Sequence, residues 1–477
     1  MTTTAPRPSP ADTDGATAAS APESAGVQQP GVQQPGAQQP GAQQPGAQQP
    51  GAQQPGTQQS GTQQSGAQPS HTQPVVGPVT GPSALARCVT VSAADFADRV
   101  WSREPLLTRA AQLPQGCFTD LLSPGDVDEL VADRALREPF FRLVKDGGGL
   151  PSATRTATAG ARRISDLADP QKIAAQHLDG ATLVLQSLHR LHPPVVRFCR
   201  LLAAELGHAT QCNAYVTPAG DAQGFDFHHD THDVFVLQVS GRKRWTIHEP
   251  VLRLPLPSQP RAGDGLVADG AEPLMDVILE PGDCLYLPRG FVHAASTTDQ
   301  HSVHLTIGVL STTWYDVLQD LLSLASSSEA FRDALPTPPV SALEDLPAFL
   351  TSVADWVGTV PVEELRSRVA IRLAGAVPPE PGRMLAQAEA LRTLTATTKV
   401  RPRAGLRWSL DRAPSTVLLQ LPDRVVSLPA VVEPAVRQLL TGPSTAVGIA
   451  AQSANLDEDD CQVLLRRMLR EGAVVPA

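Results

Sequence analysis

Aromatic residues make up only 4% of the 477 residues, and lysine occurs just four times among 38 basic residues. With a formal net charge of −10, the chain does not resemble a nucleic-acid coat or a membrane-surface binder, so any cationic contact has to be local. No apolar run approaches the ~20 residues that span a bilayer. The first twenty residues, MTTTAPRPSPADTDGATAAS, lack the basic start and apolar stretch of a secretory leader. The six cysteines, at 88, 117, 199, 212, 284 and 461, include no C-x-x-C pair, which argues against a zinc ribbon and a disulfide framework. Reduced, mostly buried thiols in a cytoplasmic protein are expected.

Proline and glycine are abundant, at 45 and 36 residues. Residues 26–65 are eight tandem pentapeptides running from GVQQP to GTQQS. Nothing large and apolar occurs in them, so they cannot bury enough surface to offset the entropy of ordering. A period of five matches neither a stacking solenoid nor collagen. The sequence predicts a disordered tail over 1–82.

Helical spacing begins near Ala84. VSAADFADRVWSREPLLTR places Phe96, Val100 and Trp101 on one helix face, with Ser92 as N-cap. DVDELVADRALREP and VVRFCRLLAAELG continue the pattern. The period then changes to two: CNAYVTPAG, DVFVLQVSG, KRWTIHEP, DVILEPGD and CLYLPRG are short, β-rich and separated by turn residues. They predict a β-barrel or jelly roll over roughly 205–310. Beyond Ser311 the chain returns to leucine-rich helices, which suit an oligomer contact or a cap on the barrel. Strands and helices then mix into a winged-helix-like end. The expected class is α+β, with a barrel domain at 83–311, a helical domain at 312–390 and a winged-helix-like domain at 391–477.

The densest chemistry lies in GFDFHHDTHDVFVLQVSGRKRW, residues 224–245. On an extended chain, side chains at i and i+2 share a side. His228 and Asp230 therefore converge, while His229 points away. His232 lies about 13 Å along from His228, too far to share an ion. A non-haem iron site takes two neutral imidazoles and one carboxylate and leaves positions open. The second imidazole is expected from EPGDCLYLPRGFVH, where Pro281-Gly282-Asp283 and Pro288-x-Gly290 make turns that set His293. The expected metal set is His228, Asp230 and His293, about 65 residues apart in sequence and both ends in the strand-rich zone.

NAYVTP, the 224–245 window, LEPGDCLYLPRGFVH and HSVHLTIG together resemble the JmjC-type ribosomal oxygenases of the cupin superfamily, from about residue 90 to 310. The resemblance implies a double-stranded β-helix and an enzyme using iron(II), 2-oxoglutarate and O2 to hydroxylate a histidine or arginine of a ribosomal protein. It further implies that Lys243, fifteen residues after His228, holds the co-substrate's distal carboxylate, and that Asn213 and Tyr215 lie near the co-substrate and substrate. A lysine in a chain this poor in lysine fits that role, since a point charge on a flexible stem suits a narrow pocket. One departure from the resemblance is Gly308, where family members often carry a serine or other polar residue; a hydrogen bond to the co-substrate is missing, or is supplied by Thr306 or water.

Two other readings stand beside this one: an oxygenase for a peptide or small metabolite, and a non-catalytic metal-binding module. Lys243 argues against the module and the long C-terminal half against the metabolite enzyme. A homodimer through the middle helices is an expectation of this reading. Lys399, Arg401, Arg403, Arg407 and Arg412 form a local basic run, but a protein-docking module is the better reading, and direct sequence-specific DNA binding is not expected.

Overall fold

The computed structural model describes residues 75–76, 82–159, 164–220, 222, 225–259, 267–268, 270–377 and 379–477. The tail expected over 1–82 lies outside these residues, apart from Val75–Val76 and Pro82.

Two antiparallel sheets form the frame. The strands are β1 (Leu106–Thr108), β2 (Phe141–Lys145), β3 (Gly148–Gly149), β4 (Thr182–Leu185), β5 (Ala209–Thr217), β6 (Asp233–Ser240), β7 (Lys243–His248), β8 (Met275–Leu279), β9 (Cys284–Leu287), β10 (Val292–Thr297) and β11 (Ser302–Leu310). The larger sheet has the order β1-β9-β6-β11-β5-β4-β2-β3, and the smaller the order β8-β7-β10. One helix was expected to run on where the chain instead turns to strand. The PLLTR stretch forms β1 and pairs with β9, because the helix capped by Ser92 stops before Trp101. Strands β2 and β4 widen the sheet beyond the expected barrel; β4, TLVL, is buried at every position and so carries no alternation to read.

Alternation along the long strands separates two apolar layers. Val303, Leu305, Ile307 and Val309 of β11 join Phe235, Leu237, Tyr286 and the N-terminal segments in one core. Val234, Val236, Trp245, Ile247, Leu285 and Leu287 form a second, inside the barrel. The remaining inward positions are polar, and they make the site.

Downstream, Trp314–Leu324, Ala342–Thr359 and Val362–Ala376 are helices. The guanidinium of Arg372 bonds Asp320, fastening the last to the first. Residues between Leu394 and Val474 build a separate apolar cluster. Its members come from an antiparallel sheet at 407–429 and from the helices Glu433–Thr441, Ala446–Ala450 and Glu458–Arg470. Among the described residues, no helix is long and apolar enough to cross a membrane.

Candidate metal centre and co-substrate pocket

His228 and His293 are brought together by backbone. The two residues form an isolated antiparallel bridge, with the His228 N–H donating to His293 O at 3.1 Å and the His293 N–H to His228 O at 2.8 Å. The Gly290 N–H donates to Asp230 O at 3.0 Å, holding the loop's other end. One imidazole nitrogen from each histidine and one Asp230 carboxylate oxygen then lie within 4.8 Å of one another. The imidazole rings are 4.5 Å apart, and His293 Nε2 is 4.0 Å from Asp230 Oδ2.

The tautomers follow from the partners. His228 Nδ1 faces Asp226 O at 2.8 Å and His293 Nδ1 faces Phe291 O at 3.0 Å. A carbonyl only accepts, so both Nδ1 atoms carry the hydrogen and both Nε2 lone pairs are left for a ligand. Burial, followed by the nearby His228, pushes His293 down to about 4, which keeps it neutral as a metal ligand must be. Two neutral imidazoles and one carboxylate fit a divalent transition ion with open positions.

The motif glycines shape this corner. Gly290 has φ +95°, and a Cβ there would sit 2.4 Å from Leu252 O; Gly282 has φ +93°, with Gly116 O 2.2 Å from the same point. Asp283 is structural: its carboxylate accepts from the Ala110 N–H at 2.8 Å, the Glu280 N–H at 3.0 Å and the Arg109 guanidinium at 2.7 Å.

Lys243 opens β7 and is 3% exposed. Its ammonium donates to Thr217 Oγ1 at 2.9 Å, and among the described residues no carboxylate pairs with it. Burial pulls it down to about 7. Arg242 and Arg244 lie on the outer face, Arg244 bonded to Asp276. The inward stripe beside Lys243 is Thr217, Tyr215, Asn213 and Gln211 on β5, paired with Ser302, His304, Thr306 and Gly308 on β11. Tyr215 stacks on His304 at 4.9 Å, and burial with the Asp230 charge nearby raises its phenol to about 12. His304 Nδ1 and Thr306 Oγ1 are buried atoms with no hydrogen-bond partner among the described residues. Asn213 Oδ1 accepts from the Ser187 N–H at 3.0 Å, so it anchors a turn as well as facing the pocket.

Two features were not read from sequence. Asp233, fully buried, accepts from Tyr286 OH at 3.0 Å, Ser102 Oγ at 3.1 Å and Ser311 Oγ at 2.9 Å, with Arg289 3.4 Å away. It ties the start of β6 to three distant segments. The other is His232, whose ring occupies the place of a side chain at Gly308. A Cβ there would lie 2.4 Å from His232 Cδ2.

The sequence pattern of the JmjC domain matches residues 185–317. Ribosomal oxygenase 1 of Homo sapiens is 31% identical over 251 residues, 50% of this chain and 37% of that protein. The Rattus norvegicus protein of the same name has the same identity over 40% of its length. The bifunctional lysine-specific demethylase and histidyl-hydroxylase NO66 of Dictyostelium discoideum is 33% identical over 174 residues, covering 35% of this chain and 34% of that protein. The chain thus spans about two fifths of the curated relatives it matches. Among solved structures, the Escherichia coli ribosomal oxygenase YcfD with cobalt and 2-oxoglutarate aligns with 81% of this chain and 98% of its own, at 18% identity and a TM-score of 0.44. Residues 185–317 of this chain thus match the pattern of the JmjC domain, and half of the chain is similar to ribosomal oxygenase 1.

Proposed function

We propose that the protein is an iron(II)- and 2-oxoglutarate-dependent oxygenase that hydroxylates a histidine or arginine side chain of a ribosomal protein. The observation that carries this reading is Lys243: a buried ammonium with no carboxylate partner among the described residues, in the same barrel as a two-histidine, one-carboxylate cluster. Burying such a charge is costly unless something anionic joins it. A module that only bound metal has no use for it.

In this reading His228, Asp230 and His293 hold iron(II), and Lys243 with Thr217 receives the distal carboxylate of 2-oxoglutarate. Bound together with O2, the metal and co-substrate supply oxidative decarboxylation to succinate and CO2, coupled to placing one oxygen atom in a substrate C–H bond. The carbonyls of Asp226 and Phe291 fix both imidazoles with Nε2 presented. Trp245, Ile247 and Val236 keep water from the pocket's apolar wall, and Asn213 and Tyr215 face the substrate and co-substrate. The match to ribosomal oxygenases supports a ribosomal protein as the partner. Six free cysteines, five of them buried, support a reducing, cytoplasmic setting. Division into a barrel at 83–311, a helical unit at 312–390 and a terminal unit at 391–477 is part of the proposal. The separate apolar cluster between Leu394 and Val474 supports the last of these units. The terminal basic run is countered by acids from other elements, Arg401 by Glu380 and Arg412 by Glu433, which favours protein docking over DNA.

The test compares intact masses of all ribosomal proteins from cells with and without the gene. One protein losing a single-oxygen increment in the deletion supports the reading and names the substrate. An unchanged set contradicts a ribosomal substrate.

A further inference from the structure

We propose that His232, seated in the space left by Gly308, is a substrate-positioning residue that hydrogen-bonds a polar side chain entering the barrel. The inference rests on the oxygenase reading of the same pocket and goes beyond it by assigning the pocket's other half.

The stripe on β5 has a direction. Thr217, at one end, takes the bond from Lys243. Tyr215, two residues on, stacks on His304 and meets Phe225, whose ring lies 5.8 Å from that of His228, so the metal cluster borders the stripe at its level. Asn213 and Gln211 continue away from Lys243, and at ~3.3 Å per residue Gln211 is about 20 Å from Thr217. A co-substrate held between Lys243 and the metal occupies the Thr217 end. The Gln211 end is left for the substrate, and there Gln211, Asn213, Thr306 and His232 are all only half-buried.

His232 reaches this wall because position 308 has no side chain. Gly308 lies on the same inward face as His304 and Thr306, and faces Gln211 across the pair of strands. Its absent Cβ would meet His232 Cδ2 at 2.4 Å and Nε2 at 2.6 Å. The Gln211 amide nitrogen lies 3.5 Å from His232 Nε2. A long bond donated there puts the ring hydrogen on Nδ1, a donor for a neutral acceptor on the substrate, such as a carbonyl or an unprotonated ring nitrogen. A histidine from the metal loop thus fills the space that a side chain at position 308 would take.

The experiment uses the full chain loaded with iron(II). Total ribosomal protein from the deletion strain is the probe, and succinate formation is the readout. Binding of 2-oxoglutarate to the Mn(II)-loaded protein is measured by calorimetry in parallel. His232→Ala is expected to raise the KM for the ribosomal protein about tenfold, the scale of one hydrogen bond at a polar site, while the Kd for 2-oxoglutarate stays within about twofold. His232→Gln, which keeps a donor, is expected to recover most of the loss. Gly308→Ala should reproduce His232→Ala by displacing the ring, and should add nothing in the His232→Ala background, a coupling that independent sites do not show. An unchanged KM in His232→Ala, or losses that add in the double variant, overturns the proposal. Wild-type protein that forms no succinate overturns the oxygenase reading and this inference with it.

Discussion

An ammonium buried at 3% exposure beside a threonine hydroxyl binds its proton less tightly than the same lysine in the unfolded chain. With Lys243 near 7 when folded and near 10.5 when unfolded, the unfolded chain carries the extra proton between those values. Stability of the ligand-free protein is therefore lowest below pH 7 on this account, and rises with pH from about 7 towards 10.5. A dicarboxylate has the opposite effect: it favours the charged lysine, so its binding takes up a proton above pH 7 and weakens as pH rises, by up to about tenfold per unit. Calorimetry of 2-oxoglutarate binding in buffers of different ionisation enthalpy checks this, and Lys243→Met should abolish the proton uptake and most of the affinity. At the metal, His228→Ala or Asp230→Ala is expected to abolish succinate formation, whereas His229→Ala retains most of it. A dead His229→Ala beside an active His228→Ala contradicts the assignment of faces. These residues were legible in sequence because local spacing decides them: i and i+2 on one strand, and two turns that set His293. The seat of His232 on Gly308 was not, since it joins residues 76 positions apart and depends on where the barrel closes.

Single elements place those residues, and the turns are the most constrained of them. Gly290→Ala puts a side chain at φ +95° and 2.4 Å from a carbonyl oxygen. A loss of about 1–3 kcal/mol in stability is expected from the conformation alone, read as a lower Tm. Because the Gly290 N–H also holds Asp230 O, Mn(II) affinity should fall with it. An unchanged Tm and metal affinity contradict the role given to this turn. Strands β5, β7 and β11 could be read from their alternation: β5 and β11 turn one face to the apolar core and the other to the pocket, while β7 turns Lys243, Trp245 and Ile247 inward and Arg244 out to solvent. Strand β4 could not, being short and apolar without a period, nor could β2, whose five residues are too few to set one. PLLTR followed a helical run and was absorbed into it, although its pairing with β9 is a tertiary choice.

Across the whole molecule, the helices at 314–376 leave an unusual amount of apolar surface in water. Trp314 is 87% exposed, Leu350 65% and Ile371 69%, on a segment whose inner contacts include Phe331 against Trp356 and Arg372 against Asp320. Exposed apolar surface on this scale marks a contact face, and a second copy of the chain is the occupant proposed here. Sedimentation should give a dimer for the wild type and a monomer for Leu350→Glu with Ile371→Glu, with the barrel's circular dichroism unchanged; a wild-type monomer contradicts it.

One pocket is proposed to hold a redox metal and 2-oxoglutarate together. It is tested most directly by succinate formation from 2-oxoglutarate by the iron(II)-loaded full chain, with ribosomal protein from the deletion strain and with Asp230→Ala in parallel. The account predicts succinate from the wild type and none from Asp230→Ala. No succinate from the wild type, or equal amounts from both, contradicts it.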